Sequence, residues 1–253
     1  MMGNSFTQIL PQERIIFALD VGEGLTEALS WVRRLSPHIG AFKIGKESFT
    51  RYGHPLIEEI IQGGSRVFLD LKFHDIPNTT AAASAAATEM GVAMFNVHAL
   101  GGRAMLAAAR KATLETALRR GITRPILLAV TVLSSLDTRD LEELGFAPRP
   151  LSEIAVKLAL LAKQEGLDGV VASGETIVPI RNACGEDFLI VTPGIRAGEA
   201  SDDQKRTLTP QEAIIRGADY LVIGRPISHS PEPIAKCSTI ARDIAAACAR
   251  AHS

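Results

Sequence analysis

Short apolar runs with a period of two alternate along the chain with longer stretches of helical period. The strand-like runs fall at 14–20 (RIIFALD), 40–45 (GAFKIG), 66–73 (RVFLDLKF) and 92–99 (VAMFNVHA). Four more follow at 126–133 (ILLAVTVL), 169–173 (GVVAS), 188–192 (FLIVT) and 220–224 (YLVIG). Helical patterns lie between them, for example at 25–35, 79–90, 103–120 and 152–165, the last preceded by Pro150 and stopped by Gly166. A further helix is expected over 210–216, behind Thr209 as N-cap, with Pro210 at the first helical position and Glu212 beyond it.

Eight strand-then-helix units in 253 residues predict an α/β chain, a single-domain (β/α)8 TIM barrel over 1–253. A doubly wound open sheet also alternates. The turn after the first run, however, reads Asp20-Val21-Gly22-Glu23-Gly24 and lacks the G-x-G-x-x-G of a dinucleotide site. No linker divides the sequence, and no internal repeat exceeds the strand–helix rhythm.

In a barrel, chemistry belongs at the C-terminal ends of the strands. The first run closes on Asp20, the second carries Lys43 near its end, and the third reads Phe68-Leu69-Asp70-Leu71-Lys72-Phe73 with His74 and Asp75 beyond. Side chains alternate faces, so Phe68, Asp70 and Lys72 share one face, and Leu69, Leu71 and Phe73 must meet the helices. The same parity points Ile16, Ala18 and Asp20 inward beside Lys43. One such charge reads equally well as a solubilising rim residue. Four converging ones do not, because each desolvated charge costs several kcal/mol unless paired or used. Alternating signs let each charge support its neighbour's ionised form, which suits a lysine kept as a ready acid.

A second cluster lies near the C-terminus, where the seventh run leads into Thr192-Pro193-Gly194-Ile195-Arg196 and the eighth into Gly224-Arg225-Pro226. Loops after strands seven and eight commonly bind phosphate, with glycines admitting backbone N–H groups and arginines adding charged donors. The polar segment 197–206 (AGEASDDQKR) is long enough to be a lid over a ligand; its alternative is a solvated loop.

Composition narrows the classes. Hydrophobic residues make up 46% and charged ones 22%, which excludes a disordered chain. Lys+Arg number 27 against 28 Asp+Glu, so no basic excess is available for nucleic acid. Cys184, Cys237 and Cys248 are odd in number and scattered, reading as thiols in a reducing compartment rather than as a disulfide frame or zinc site. The N-terminus lacks the order of a signal peptide, and no apolar run approaches the roughly 20 residues of a membrane span. A soluble, cytoplasmic protein with no nucleic-acid or membrane partner is expected. His98 ends the fourth run with Asn96 and could line the mouth, but the two read more readily as a hydrogen-bonded structural pair, with no second His or Cys at metal spacing. The Ala-rich stretch 80–88 reads as a close-packing helix, suited also to facing a second subunit. Ser134 and Ser135 have no adjacent histidine base and are not read as nucleophiles.

The run DLKFHDIPNT over 70–79 closely resembles the signature of the orotidine 5′-phosphate decarboxylase family. The resemblance extends through ALD at 18–20, FKIG at 42–45, NVHA at 96–99, TVLS at 131–134, TPGIR at 192–196, DQKR at 203–206 and VIGRP at 222–226. It implies a cofactor- and metal-independent decarboxylation of orotidine 5′-monophosphate to UMP and carbon dioxide, the last step of de novo pyrimidine nucleotide synthesis. By resemblance, Lys72 would protonate C6, Asp70 would crowd the substrate carboxylate, and Lys43 and Asp75 would complete the catalytic network. Asp75 and Thr79 would reach in from the partner of a homodimer with shared sites. Asp20 and Lys43 would bond the ribose, Ser134 the pyrimidine edge, and Arg225 with the N–H of Gly224 the phosphate, aided by Gln204 and Arg196. Related sugar-phosphate barrels with the same third-strand pattern use magnesium and an acidic residue on the second strand, where this chain has Lys43. A non-catalytic phosphate-ligand barrel would need no charge network at all.

Overall fold

The computed structural model describes residues 9–21, 24–196 and 208–251. The lid segment 197–206, with Gln204, and the turn residues Gly22 and Glu23 lie outside the described residues. All eight expected strands form: β1 (Ile15–Ala18), β2 (Ala41–Gly45), β3 (Val67–Phe73), β4 (Met94–His98), β5 (Ile126–Val130), β6 (Gly169–Val171), β7 (Leu189–Thr192) and β8 (Tyr220–Ile223). They are parallel and hydrogen-bonded in chain order, and β8 pairs back onto β1, closing a (β/α)8 barrel.

The helices are α1 (Leu25–Leu35), α2 (Lys46–Gln62), α3 (Pro77–Glu89), α4 (Gly102–Arg120), α5 (Thr138–Glu143), α6 (Leu151–Gln164), α7 (Ile177–Cys184), α8 (Pro210–Ile215), α9 (Arg225–Ser228) and α10 (Pro233–Ala251). Helix α1 has the expected bounds, whereas α3 starts two residues earlier than expected because Pro77 suits the first turn, where no N–H is needed. The Thr209 cap is present: its hydroxyl accepts from the Glu212 N–H at 3.2 Å, and the Glu212 carboxylate accepts from the Thr209 N–H at 2.9 Å. Short α5, capped in the same way by Asp137 and Asp140, was not anticipated. The fifth strand stops at Val130 rather than 133, where its pairing with β4 runs out at His98.

The parity argument holds. Ile16, Ala18, Phe68, Leu128, Val191 and Val222 fill the barrel interior, while Phe17, Phe42, Leu69, Phe95 and Ile190 belong to the cluster shared with the helices. Burying each of these larger side chains is worth about 1.5–3 kcal/mol.

Two carboxylates clamp the N-terminal rim. Asp168 accepts from the Leu127 N–H and from both Arg124 terminal nitrogens, all at 2.7 Å. Asp219 accepts from the Ile190 N–H at 2.8 Å and from Arg181 Nη2 at 2.7 Å. Arg181 is buried and spends its other donors on the carbonyl oxygens of Gly185, Phe188 and Gly217. These bonds tie β5 to β6 and β7 to β8 at the rim where the strands begin.

Candidate active site

At the C-terminal mouth Asp20, two residues beyond β1, and the side chains of β2 and β3 form one chain of alternating charge. Lys43 Nζ lies 3.2 Å from Asp20 Oδ2 and 3.7 Å from Asp70 Oδ2, and Lys72 Nζ lies 2.7 Å from Asp70 Oδ1. The Lys43 and Asp70 side chains are only 11% and 13% exposed, so these pairs act in a poorly hydrated place where charge–charge interactions are strong. Asp20 is more open, at 42%. The register explains the meeting: Ala18 pairs with Lys43, and Lys43 with Phe68, which brings the strand ends to one level.

Two residues to which the sequence reading gave no part in the network complete this arrangement. Asn96 of β4 is fully buried; its Nδ2 donates to Asp70 Oδ1 at 2.7 Å and its Oδ1 accepts from the Lys72 N–H at 2.8 Å. Gly45 is the second: a Cβ there would fall 2.7 Å from Lys43 Nζ and 3.2 Å from Asp20 Oδ1. The phrase FKIG contained that signal only in hindsight, since a strand glycine marks a close approach without naming what approaches.

The expected pairing of Asn96 with His98 is corrected: among the described residues neither bonds the other. Both point inward from β4, but His98 Nδ1 accepts from the Leu100 N–H at 3.3 Å and its ring stacks on His74, centroids 5.2 Å apart. Burial, helped by the neighbouring His74, Lys72 and Lys46, pushes the His98 imidazole down to about 4, so it is neutral near pH 7.

Asp75 and Thr79 lie apart from the network. Both are exposed, Asp75 just after β3 and Thr79 in the first turn of α3. Asp75 Oδ1 accepts from the adjacent Ile76 N–H at 2.7 Å and, among the described residues, makes no ion pair with Lys43 or Lys72. Ser134 is exposed in the loop after β5.

Beside Asp20 opens a cavity of about 930 Å³, running from Ala18 and Asp20 to Arg196, Gly224 and Arg225. The sequence-predicted phosphate residues thus line one space with the first charge of the network. Ile195 bridges Leu208, and the Arg196 N–H donates to the Leu208 carbonyl at 2.9 Å, so the two chain ends flanking 197–207 are tied together at its rim. Among the described residues, no three His, Cys, Asp or Glu side chains gather to hold a metal ion, and no helix is long and apolar enough to cross a membrane.

The chain is similar to proteins whose names fit this architecture. It is 55% identical over 235 residues to an orotidine 5′-phosphate decarboxylase of Syntrophus aciditrophicus, covering 92% of this chain and 93% of that one. It is 51% identical over 237 residues to one of Syntrophotalea carbinolica, covering 93% and 96%. The crystal structure of the Lactobacillus acidophilus orotidine 5′-phosphate decarboxylase superposes with a TM-score of 0.79 at 35% identity, over 91% of this chain and 98% of that one. Residues 13–240 match the family described as orotidine 5′-phosphate decarboxylase / HUMPS, and the chain belongs to that family.

Proposed function

We propose that this chain, as one barrel domain, decarboxylates orotidine 5′-monophosphate to UMP and carbon dioxide, closing pyrimidine nucleotide synthesis in the cytoplasm without metal or cofactor. The observation that carries the proposal is the Asp20–Lys43–Asp70–Lys72 chain at the mouth, joined to the cavity that ends at Arg225.

The chemistry asks for such a charge arrangement. When the C6–carboxylate bond breaks, the electron pair stays on C6, where no carbonyl group can delocalise it. Lys72 donates its proton to C6, and the neutral amine recovers a proton from solvent. A fixed ammonium beside the developing carbanion stabilises it with little reorganisation, the type of contribution that is large in catalysis. Asp70, already held by two lysines and Asn96, stands against the leaving carboxylate. Asp20 and Lys43 bond the ribose hydroxyls, Ser134 the pyrimidine edge, and Arg225, the Gly224 N–H, Arg196 and Gln204 the phosphate. That remote grip supplies binding energy for ordering the reacting end.

The exposure of Asp75 and Thr79 supports the shared-site homodimer. Around the mouth, Ile76 (66% exposed), Leu100 (41%) and Leu133 (37%) leave apolar side chains uncovered on the loops after β3, β4 and β5. A partner covering them would bring its own Asp75 and Thr79 toward this site.

The sugar-phosphate reading within the family fits less well. Its enzymes need an acidic residue on the second strand to hold magnesium, and here the Lys43 ammonium lies between Asp20 and Asp70. The test is the ultraviolet absorbance change on adding orotidine 5′-monophosphate with EDTA present, for wild type and Lys72→Ala. Conversion to UMP by wild type alone is expected. A wild type that binds the nucleotide but leaves it unchanged overturns the proposal.

A further inference from the structure

The third and fourth strands slip against each other at the catalytic end. Phe68 pairs with Met94 and Leu69 with Phe95, but the next pair is Phe73 with Val97. Asp70, Leu71 and Lys72 therefore stand opposite Asn96 alone. A bulge of this kind re-aims side chains and leaves backbone groups without ladder partners. Lys72 carries the distortion: its φ is 53°, and it is the only non-glycine residue with positive φ among the described residues.

We propose that Asn96 is a positioning residue for the decarboxylation, holding both the Lys72 backbone and the Asp70 carboxylate in their working places; this rests on the assignment of Lys72 as proton donor. The Lys72 N–H that lost its ladder partner donates instead to Asn96 Oδ1 at 2.8 Å. The same amide donates through Nδ2 to Asp70 Oδ1 at 2.7 Å, the oxygen that also accepts from Lys72 Nζ at 2.7 Å. The result is a closed ring: Lys72 backbone, Asn96 side chain, Asp70 carboxylate, Lys72 ammonium.

Only an amide of this length fits both demands. The position needs one acceptor for a backbone N–H and one donor for a carboxylate, on a side chain with no exposed surface. Aspartate would set a second carboxylate against Asp70. Leucine would fill the volume and satisfy neither partner, and serine would not span the gap. Without Asn96 the Lys72 backbone is free to relax toward ordinary strand geometry, carrying its ammonium with it, and Asp70 loses one of its donors.

The effect should therefore fall on the chemical step. A displacement of about 1 Å at a reacting group costs on the order of 100-fold in rate. The ribose and phosphate contacts come from β1, β2 and the loops after β7 and β8, on other parts of the barrel. Measure kcat and KM for orotidine 5′-monophosphate and the Kd of UMP by calorimetry for wild type, Asn96→Leu and Asn96→Ala. We expect kcat to fall about 100-fold while UMP affinity stays within about three-fold of wild type. Variants that keep kcat within about three-fold, or lose UMP affinity as steeply as kcat, overturn the inference. Loss of UMP binding in both variants overturns it too, since Asn96 would then serve folding alone. An inactive wild type instead overturns the decarboxylase reading and is distinguishable from all of these.

Discussion

The Lys72 ammonium lies 2.7 Å from the carboxylate of Asp70, two residues earlier on the same strand, while Lys72 itself holds a left-handed backbone with φ 53°. Residues so spaced on a regular strand have Cα atoms roughly 6.6 Å apart and side chains that run parallel. Here the strand is bulged, and the lysine folds back on the aspartate. A non-glycine residue in this region costs about 1–2 kcal/mol. The cost is local, and it falls on the residue assigned the proton transfer.

That strain separates activity from stability. Lys72→Ala and Lys72→Gly remove the same ammonium, and both should lose about 10⁴-fold or more in kcat, combining the loss of an acid with that of a preorganised charge. Glycine accepts φ 53° freely and alanine does not. The glycine variant should therefore be more stable than the alanine variant by about 1 kcal/mol, read as a higher urea midpoint at equal slope. Equal midpoints would mean that the backbone had relaxed once the side chain was gone.

Gly45→Ala should damage catalysis more than the fold. The new methyl would stand 2.7 Å from Lys43 Nζ and 3.2 Å from Asp20 Oδ1, so the lysine side chain, rather than the backbone, must yield. Moving it pulls Lys43 off Asp20 and Asp70. Expected are a loss of at least about 10-fold in kcat/KM and a stability loss of about 1–3 kcal/mol, since a buried ammonium is displaced from its carboxylates. Full activity would show that Lys43 tolerates displacement.

The assignment of Asp75 to the partner's site predicts complementation. Lys72→Ala and Asp75→Ala homodimers should each be inactive. In a mixed dimer one site collects both substitutions and the other neither. Random exchange makes half of the dimers mixed, so activity should return to about one quarter of wild type. Mixing that restores nothing, with exchange verified by mass, would place each site within one chain.

Much of this was legible beforehand, and the rest was not for identifiable reasons. The barrel followed from eight period-two runs, and the inward turn of Asp20, Lys43, Asp70 and Lys72 from parity alone. Parity did not reveal the slip between Leu69 and Phe73, because a bulge depends on how two strands pair and β4 lies some 20 residues on. From sequence Asn96 therefore reads as a structural residue, and Gly45 as an ordinary strand glycine. Both work through distances to side chains on other residues, which no periodicity records.

The rim opposite the site should be costly to break. Arg181 is buried, with Asp219 and the carbonyl oxygens of Gly185, Glu186, Phe188 and Gly217 as partners. Arg181→Ala leaves the half-buried Asp219 without its nearest cation, with Arg14 still acting on it, and should cost about 3 kcal/mol, the low end for a broken buried pair. Nothing near the substrate changes, so kcat at low temperature should remain near wild type. A parallel loss of kcat would couple the two rims.

His98 should make the fold sensitive to acid. Its Nδ1 accepts from the Leu100 N–H, which requires a neutral ring with its proton on Nε2. Burial first, then His74, Lys72 and Lys46, hold the folded-state value at about 4, against 6.5 for the free side chain. Between those values the unfolded chain binds a proton that the folded chain refuses. The contribution of His98 is thus complete above pH 6.5 and is lost as pH falls toward 4, up to about 3 kcal/mol in all. Lysine and carboxylate titrations elsewhere affect wild type and His98→Gln alike, so the difference between them isolates this group. From pH 7.5 to pH 5, wild type should lose about 2 kcal/mol more than His98→Gln in urea unfolding, because the glutamine cannot take up the proton. Equal losses would mean that the folded imidazole protonates as readily as the free one, and that the stack on His74 opens in mild acid.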